Sequence, residues 1–218
     1  MGLLDRIGPR KGEFEPPHAA AVAAEDPVFA TKALHKFLRC LTARELPVLL
    51  DLGPVVGSNV SFFGEQLGCK ILVEDIFADL DRHLRGQKME ALPAFLTSRF
   101  TQQSGTVDGI LCWDIFDYLD RPSAQALATG LNRVLAADGT LLAFFSTAST
   151  RDARYTKFII VDDLNMRHRA YPAARTRQVN MPNRDILRLF PGLHVSDSFL
   201  LQNNQREILF RKPASTGH

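Results

Sequence analysis

The chain has 218 residues, of which 45% are hydrophobic, and its formal net charge is +2 at pH 7. This length and composition suit one globular domain of ordinary size. No run of about 18 apolar residues occurs, so a membrane-spanning helix is not expected. The net charge is too small to indicate nucleic-acid binding by itself, so nucleic acid is not an expected partner.

The cysteines and the first residues bear on location. Cys40, Cys69 and Cys112 are widely spaced and odd in number, which favours a reducing compartment over a disulfide framework or a zinc site. The first residues, MGLLDRIGPRKGEF, carry charges where a signal peptide needs its apolar centre. We therefore expect a cytoplasmic protein without a metal site.

Three segments are predicted along the chain. Residues 1–28 are rich in proline, glycine, alanine and charge, which is typical of a flexible N-terminal arm. Residues 29–212 carry the strand and helix patterns of a single domain, and we expect residues 213–218 to be a disordered tail. Within the domain, Phe29–Leu41 is amphipathic and predicts a helix before the first strand.

The clearest pattern is a strand–turn–helix–strand unit at residues 47–75. Val48–Leu52 is an almost continuous apolar run, as expected for a strand buried on both faces of a parallel sheet. Gly53–Gly57 forms a glycine turn, and an amphipathic helix follows it. Lys70–Asp75 is a second strand that ends in two acids.

This unit has the layout of a nucleoside-binding site. Glycine lets a backbone approach a ligand where a Cβ would collide. A carboxylate after the second strand can accept hydrogen bonds from ribose hydroxyls. Any doubly wound protein also needs a tight turn here, so a purely structural role stays open. The candidate ligand contacts are Asp51, Gly53, Gly57, Glu74 and Asp75.

The rest of the domain continues the alternation, which predicts an α/β fold with a doubly wound, mostly parallel sheet. The last two strands predict a C-terminal antiparallel hairpin. The predicted segments are a helix at 77–85, a short helix or weak strand at 89–100, a strand at 107–113, a helix at 120–135, a strand at 140–146, a short strand at 159–161, a helix at 183–190, and strands at 194–201 and 207–211.

Four stretches resemble motifs of the class I S-adenosylmethionine-dependent methyltransferases. Leu49–Gly57 resembles the first motif, an acid followed by spaced glycines, and Asp75 resembles the acid that ends strand two. Val107–Asp114 resembles the fourth-strand motif, and Leu131–Gly139 resembles the helix and turn before strand five. The resemblance covers roughly residues 30–211 and implies a Rossmann-like fold with a seven-stranded sheet.

The resemblance also implies S-adenosylmethionine as the cofactor and assigns roles to matching positions. Gly53 and Gly57 would let the backbone approach the methionine part. Asp51 would order the turn and help to receive the amino group, and Asp75 would hold the ribose hydroxyls. Asp114 would lie near the sulfonium and the substrate entrance. No catalytic residue is assigned.

Two positions depart from the family pattern. The middle glycine of the turn is Val55, and no acid follows the third-strand region, where Gln102 or Gln103 could substitute. These departures motivate a second hypothesis, a catalytically silent protein that keeps the fold for binding or as a scaffold. A nicotinamide dehydrogenase is disfavoured, because Gly53–Gly57 lacks the G-x-G-x-x-G pattern.

The end of the fourth strand carries several candidates with open roles. Trp113 could stack on the cofactor or belong to the core. Asp114 is expected to orient donor or acceptor, and Tyr118 could close the pocket. For Asp117 we favour a role as the cap of the next helix, a role that Asp120 could fill instead.

The segment from Arg151 to Arg188 is rich in arginine. Its guanidinium groups could recognise an anionic acceptor, such as a carboxylate or phosphate, or they could form a solvated face paired with local acids. His168 and Tyr155 lie in the same region and could serve as a base or as pocket wall. The predicted function is methyl transfer from S-adenosylmethionine to an unidentified small-molecule acceptor.

Overall fold

The computed structural model describes residues 26–148, 154–175, 177 and 181–214. Residues 1–25 of the predicted flexible arm and 215–218 of the predicted tail lie outside these residues. In the described part the strands are β1 Val28–Ala30, β2 Val48–Asp51, β3 Lys70–Val73, β4 Val107–Trp113, β5 Leu135–Ser146, β6 Arg154–Ile160, β7 Asn165–Pro172, β8 His194–Leu200 and β9 Gln205–Arg211.

Helices alternate with these strands through most of the domain. A π-helical turn, Phe62–Gln66, extends the second helix, and short 3₁₀ turns occupy Met89–Ala91 and Ile115–Tyr118. The α-helices are α1 Ala33–Thr42, α2 Gly57–Ser61, α3 Ile76–Arg85, α4 Leu92–Ser98, α5 Arg121–Val134 and α6 Asn183–Leu189.

The larger sheet has six strands in the order β3-β2-β4-β5-β9-β8. The pairs β3–β2, β2–β4 and β4–β5 are parallel, whereas β9 is antiparallel to both β5 and β8. Helices α1 and α2 pack on one face, and α3 to α6 contribute to the core on the other. The fold is therefore a mostly parallel α/β sheet whose last two strands pair antiparallel.

The expectation of seven strands is wrong for the described residues, because the ambiguous segment at 89–100 is helical. Pro93 lies in the first turn of α4, where its missing N–H costs no helical hydrogen bond. Leu92 and Leu96 are fully buried one helical turn apart. This packing favours a helix over an additional edge strand next to β3.

The segment after β5 forms a second, three-stranded antiparallel sheet in the order β1-β7-β6. The sequence predicted only a short strand at 159–161, and it predicted a helix from Phe29, which instead lies in β1. Asn59 of α2 fixes this small sheet in place. Its Nδ2 donates to the carbonyl of Phe158 at 2.8 Å, and its Oδ1 accepts from the N–H of Ile160 at 2.9 Å. The small sheet thus lies over the helix that follows the glycine turn.

Among the helices in these ranges, none has both the length and the apolar character needed to cross a membrane. The described side chains also contain no group of three or more His, Cys, Asp or Glu residues that could hold a metal ion.

Candidate functional site

The carboxyl ends of β2, β3 and β4 lie side by side and bring most of the candidate residues to one edge of the sheet. Asp51 is the last residue of β2, and Trp113 is the last residue of β4. Glu74 and Asp75 directly follow β3, which pairs with β2 in parallel register. The predicted strand-end acids therefore share an edge, as the sequence pattern required.

At the β2 end, the chain satisfies its own polar groups. Asp51 is buried, and its Oδ1 accepts hydrogen bonds from the N–H of Gly53 at 2.9 Å and from Nε1 of Trp113 at 2.6 Å. Burial raises the pKa of Asp51 to about 6, although both hydrogen bonds act in the opposite direction and the charge of Asp75 adds to the rise. Asp51 thus holds the backbone of the glycine turn at Gly53.

The Trp113 indole fills the space beside Gly53. A Cβ built on Gly53 would lie 2.7 Å from both Cδ1 and Nε1 of the indole. Trp113 is 3% exposed, and its ring stacks on Phe158 at a centroid distance of 5.3 Å and an interplanar angle of 5°. In this structure the missing Cβ of Gly53 makes room for the protein's own tryptophan.

The far side of the glycine turn is open. Gly57 is exposed, and a Cβ added there would meet no atom within 4 Å. Val55, which stands where the family pattern has glycine, is 65% exposed and does not fill the space next to the turn. Only the Gly53 end of the turn is covered.

At the β3 end, the two acids have different surroundings. Asp75 is half-buried and caps α3, since its Oδ1 accepts from the N–H of Ala78 at 2.9 Å. Burial raises its pKa, while the positive charge of Lys157 on β6 lowers it. Glu74 is held at 2.7 Å by Nη1 of Arg99 and at 3.1 Å by Nε2 of Gln102.

Several buried polar atoms have no hydrogen-bond partner among the described residues. They include the hydroxyl of Tyr171, Nη1 of Arg175 and Oδ1 of Asp114. Burial raises the pKa of Tyr171, and the negative charges of Asp75 and Asp114 raise it further, so this hydroxyl lies within electrostatic range of both acids. Such groups are costly unless another molecule satisfies them.

At the β4 end, Asp114 is fully buried and forms an ion pair with Nη2 of Arg177 at 2.8 Å. The Arg177 Nε donates to the hydroxyl of Tyr118 at 3.0 Å, which in turn donates to the carbonyl of Arg154. Arg177 is thus locked to the strand end by a carboxylate and a phenol. Burial raises the pKa of Asp114, and Arg177 opposes that rise.

The structure corrects the expectation for Asp117. Asp120 caps α5 by accepting from the N–H of Ser123 at 3.0 Å. Asp117 lies inside a 3₁₀ turn and instead accepts from the N–H of Ser146 at the end of β5, at 2.8 Å. Burial and the charge of Asp114 raise the pKa of Asp117 to about 8, so it is largely protonated near neutral pH.

Several residues of the site were missed from the sequence. Tyr171, Arg177 and Phe158 all come from the segment after β5 and reach the sheet edge only because the small sheet folds over it. The excess of arginine was the only signal for Arg177. For Phe158 the only sequence signal was an imperfect alternation of apolar residues along β6, at Tyr155, Phe158 and Ile160.

No protein-family model matches the chain, and no curated protein matches its sequence. Solved structures do match it. The PH0226 protein of Pyrococcus horikoshii OT3 superposes with a TM-score of 0.52 at 14% identity, over 83% of this chain and 86% of that one. The 1,6-didemethyltoxoflavin-N1-methyltransferase of Burkholderia thailandensis, solved with 1,6-didemethyltoxoflavin and S-adenosylhomocysteine, superposes with a TM-score of 0.50 at 13% identity, over 84% and 77%.

The chain has the Rossmann-like fold of class I methyltransferases. In this methyltransferase fold the strand order reverses between β2 and β4, since the chain runs outward from β2 to β3 and then returns to β4 on the other side. Ligands of open α/β sheets bind outside the carboxyl ends of the strands at such a reversal. That edge carries Asp51, Asp75 and Asp114.

Proposed function

We propose that the protein binds S-adenosylmethionine at the carboxyl edge of β2, β3 and β4 and transfers its methyl group to a small-molecule acceptor. The observation that carries this is the Tyr171 hydroxyl at the strand-order reversal, which is buried, has no partner among the described residues and lies within electrostatic range of Asp75 and Asp114. A ribose offers hydroxyls that would satisfy these groups. The likeness to a methyltransferase solved with S-adenosylhomocysteine supports this choice of ligand.

Little further machinery is needed for methyl transfer. When bound, the cofactor supplies a methyl group on a sulfonium, which is already activated. The acceptor atom would give the electron pair of the new bond, the carbon–sulfur bond would break towards sulfur, and any proton on the acceptor would pass to solvent. The protein mainly has to align the two reactants and exclude water. Asp75 would hold the ribose, and Asp114 with Arg177 would form the wall towards the acceptor.

The two ends of the site fit the cofactor unequally. At the β3 end, half-buried Asp75 and unpartnered Tyr171 fit a nucleoside. At the β2 end, the Trp113 indole lies where the methionine part would meet Gly53. Cofactor binding therefore requires the indole to leave Gly53 and release its hydrogen bond to Asp51.

The same indole favours a second candidate function, a catalytically silent binding or scaffold protein. Trp113 is buried, hydrogen-bonded and stacked on Phe158. If it never leaves Gly53, the fold keeps its architecture and loses the cofactor.

Isothermal titration calorimetry with S-adenosylmethionine and S-adenosylhomocysteine separates the two functions. The wild-type protein is expected to give saturable heat with both ligands, and Trp113→Ala is expected to bind more tightly because no indole has to move. Heat from Trp113→Ala alone would favour the silent protein. No heat from either at millimolar ligand, with both proteins folded by circular dichroism, would refute the cofactor assignment.

A further inference from the structure

A cavity lies against the face of the small sheet opposite to Tyr155 and Tyr171. Two adjoining hollows, of about 250 Å³ and 500 Å³, share four lining residues. The smaller one extends to the end of β5 and to the turn between β8 and β9. We call this space the arginine cavity; the lining residues that matter below are Phe29, Ser146, Thr156, His168, Arg177 and Gln205.

Two polar atoms of the arginine cavity's lining residues have no hydrogen-bond partner among the described residues. Oε1 of Gln205 is one, on a side chain that is 8% exposed, and Nε2 of His168 is the other. Burial, with the positive charge of Arg177, lowers the pKa of His168 to about 4, so the imidazole is neutral at physiological pH. Buried polar atoms without partners are rare in folded proteins. The neutral imidazole can donate from Nε2 to a ligand, whereas Oε1 of Gln205 can only accept a hydrogen bond.

Arg177 connects the arginine cavity to the end of β4. Arg177 lines both hollows, and its guanidinium binds Asp114 at 2.8 Å. A molecule that contacts Arg177 from the cavity therefore lies next to the strand end where the methyl donor is proposed to bind. The cavity is in the right place for an acceptor.

The charged groups around Arg177 determine which kind of anion the cavity can bind. A guanidinium pairs well with a carboxylate. Asp114 is fully buried beside Arg177, and Nε of Arg177 is 3.9 Å from Oδ2 of Asp117. A phosphate dianion would meet the repulsion of ionised Asp114 with twice the charge of a carboxylate. The ring of Phe29, which packs on His168 at a centroid distance of 4.6 Å, adds an apolar wall suited to an aromatic group.

We propose that the arginine cavity is a binding site for a small aromatic monocarboxylate, held by Arg177 and by Nε2 of His168 against the ring of Phe29. The site adds a candidate methyl acceptor to the proposed function. Only the statement that its ligand is the methyl acceptor rests on that function. The binding itself needs no cofactor.

Three probes of similar shape test the charge requirement on the wild-type protein without cofactor. Benzoate carries one negative charge, benzamide is neutral, and phenyl phosphate is a dianion at neutral pH. Titration followed by NMR is expected to shift the imidazole signals of His168 with benzoate, at a dissociation constant at least about tenfold lower than those of the other two probes. No benzoate-dependent shift at His168, or tighter binding of phenyl phosphate, would overturn the proposal.

Variants locate the binding site. Arg177→Gln is expected to weaken benzoate binding at least about tenfold, as the loss of a charged hydrogen bond implies. Because that change also breaks the pair with Asp114, Phe29→Ala is the second variant; it leaves the pair intact, removes the apolar wall of the cavity and is expected to weaken benzoate binding several-fold. Arg188→Gln is the control, since this arginine is exposed on α6, and it should bind as the wild type does. Unchanged binding in both Arg177→Gln and Phe29→Ala would contradict the site.

The two proposals can fail separately. Benzoate binding without any S-adenosylhomocysteine binding would leave the arginine cavity standing and remove the methyltransferase function. Cofactor binding without benzoate binding would leave the methyltransferase function standing and remove the arginine cavity as a binding site.

Discussion

The two halves of the candidate site follow neighbouring parallel strands, yet the chain treats them in opposite ways. In the β2 half, Asp51, Gly53 and Trp113 satisfy and cover one another. In the β3 half, Asp75 is half-buried and the nearby Tyr171 hydroxyl has no partner among the described residues. A glycine turn and a strand-end acid are therefore not equivalent signs of a ligand, because the glycine can serve a packed side chain of the same protein.

The largest expected effect comes from removing the Trp113 indole, which covers Gly53 in the β2 half. Trp113→Ala deletes a buried indole that packs on Phe158 and Phe144, and we expect the free energy of unfolding to fall by about 3–5 kcal/mol. Urea denaturation measures this loss. A loss below about 1 kcal/mol would show that the indole contributes little packing and that the halves differ less than the structure indicates.

The β3 half is tested by Asp75→Ala, which should weaken S-adenosylhomocysteine binding more than about tenfold, since a carboxylate on a ribose diol contributes about 1.5–3 kcal/mol. The change also removes the cap of α3. Asp120→Ala is the matched control, because Asp120 caps α5 through Ser123 in the same way and lies outside the proposed ligand contacts. Equal calorimetric affinities for the two variants would remove the ribose role of Asp75.

The glycine turn itself allows a matched pair of substitutions. Gly53→Ala places a Cβ 2.7 Å from the indole and should cost about 1–3 kcal/mol of stability through overpacking. Gly57→Ala meets open space and should change stability little. In the Trp113→Ala background the cost of Gly53→Ala should largely vanish, and urea denaturation of the double variant measures this coupling. A cost that persists would mean that another contact requires glycine at position 53.

The last expected effect concerns pH. Asp117 has a pKa of about 8 in the folded protein and an ordinary value of 3.8. The unfolded chain therefore releases this proton at lower pH than the folded chain does, and stability contributed by the protonated carboxyl declines as pH rises between these values. Asp117→Asn keeps an acceptor for the N–H of Ser146 and should flatten that decline.

Urea midpoints of Asp117→Asn and the wild type at about pH 5 and pH 8 measure the difference. Asp51, whose pKa rises to about 6, contributes in the same direction in both proteins. Parallel declines in the two proteins would contradict the assignment of the titrating group to Asp117.

The sequence patterns predicted the strands of the sheet edge well, because β2 and β4 are short apolar runs, and such runs are expected to be buried. They could not predict what lies against Gly53. The position of the Trp113 ring depends on Phe158, which reaches it only through the small sheet. They also left 89–100 ambiguous between helix and strand, because the helix is favoured by the burial of Leu92 and Leu96, which depends on tertiary packing.

The cavity side of the site was still less accessible from sequence. Arg177 looked like one arginine among many in a basic segment, and its pairing with Asp114 joins residues from distant parts of the chain. Gln205 gave no signal, since an unpartnered side-chain oxygen is visible only in three dimensions.

Trp113 is the only tryptophan of the chain, so its fluorescence reports directly on the group that must move. Titration with S-adenosylhomocysteine should produce a saturable change in emission as the indole leaves Gly53, Asp51 and the ring of Phe158. An emission spectrum that stays constant up to millimolar ligand would contradict cofactor binding at this edge of the sheet.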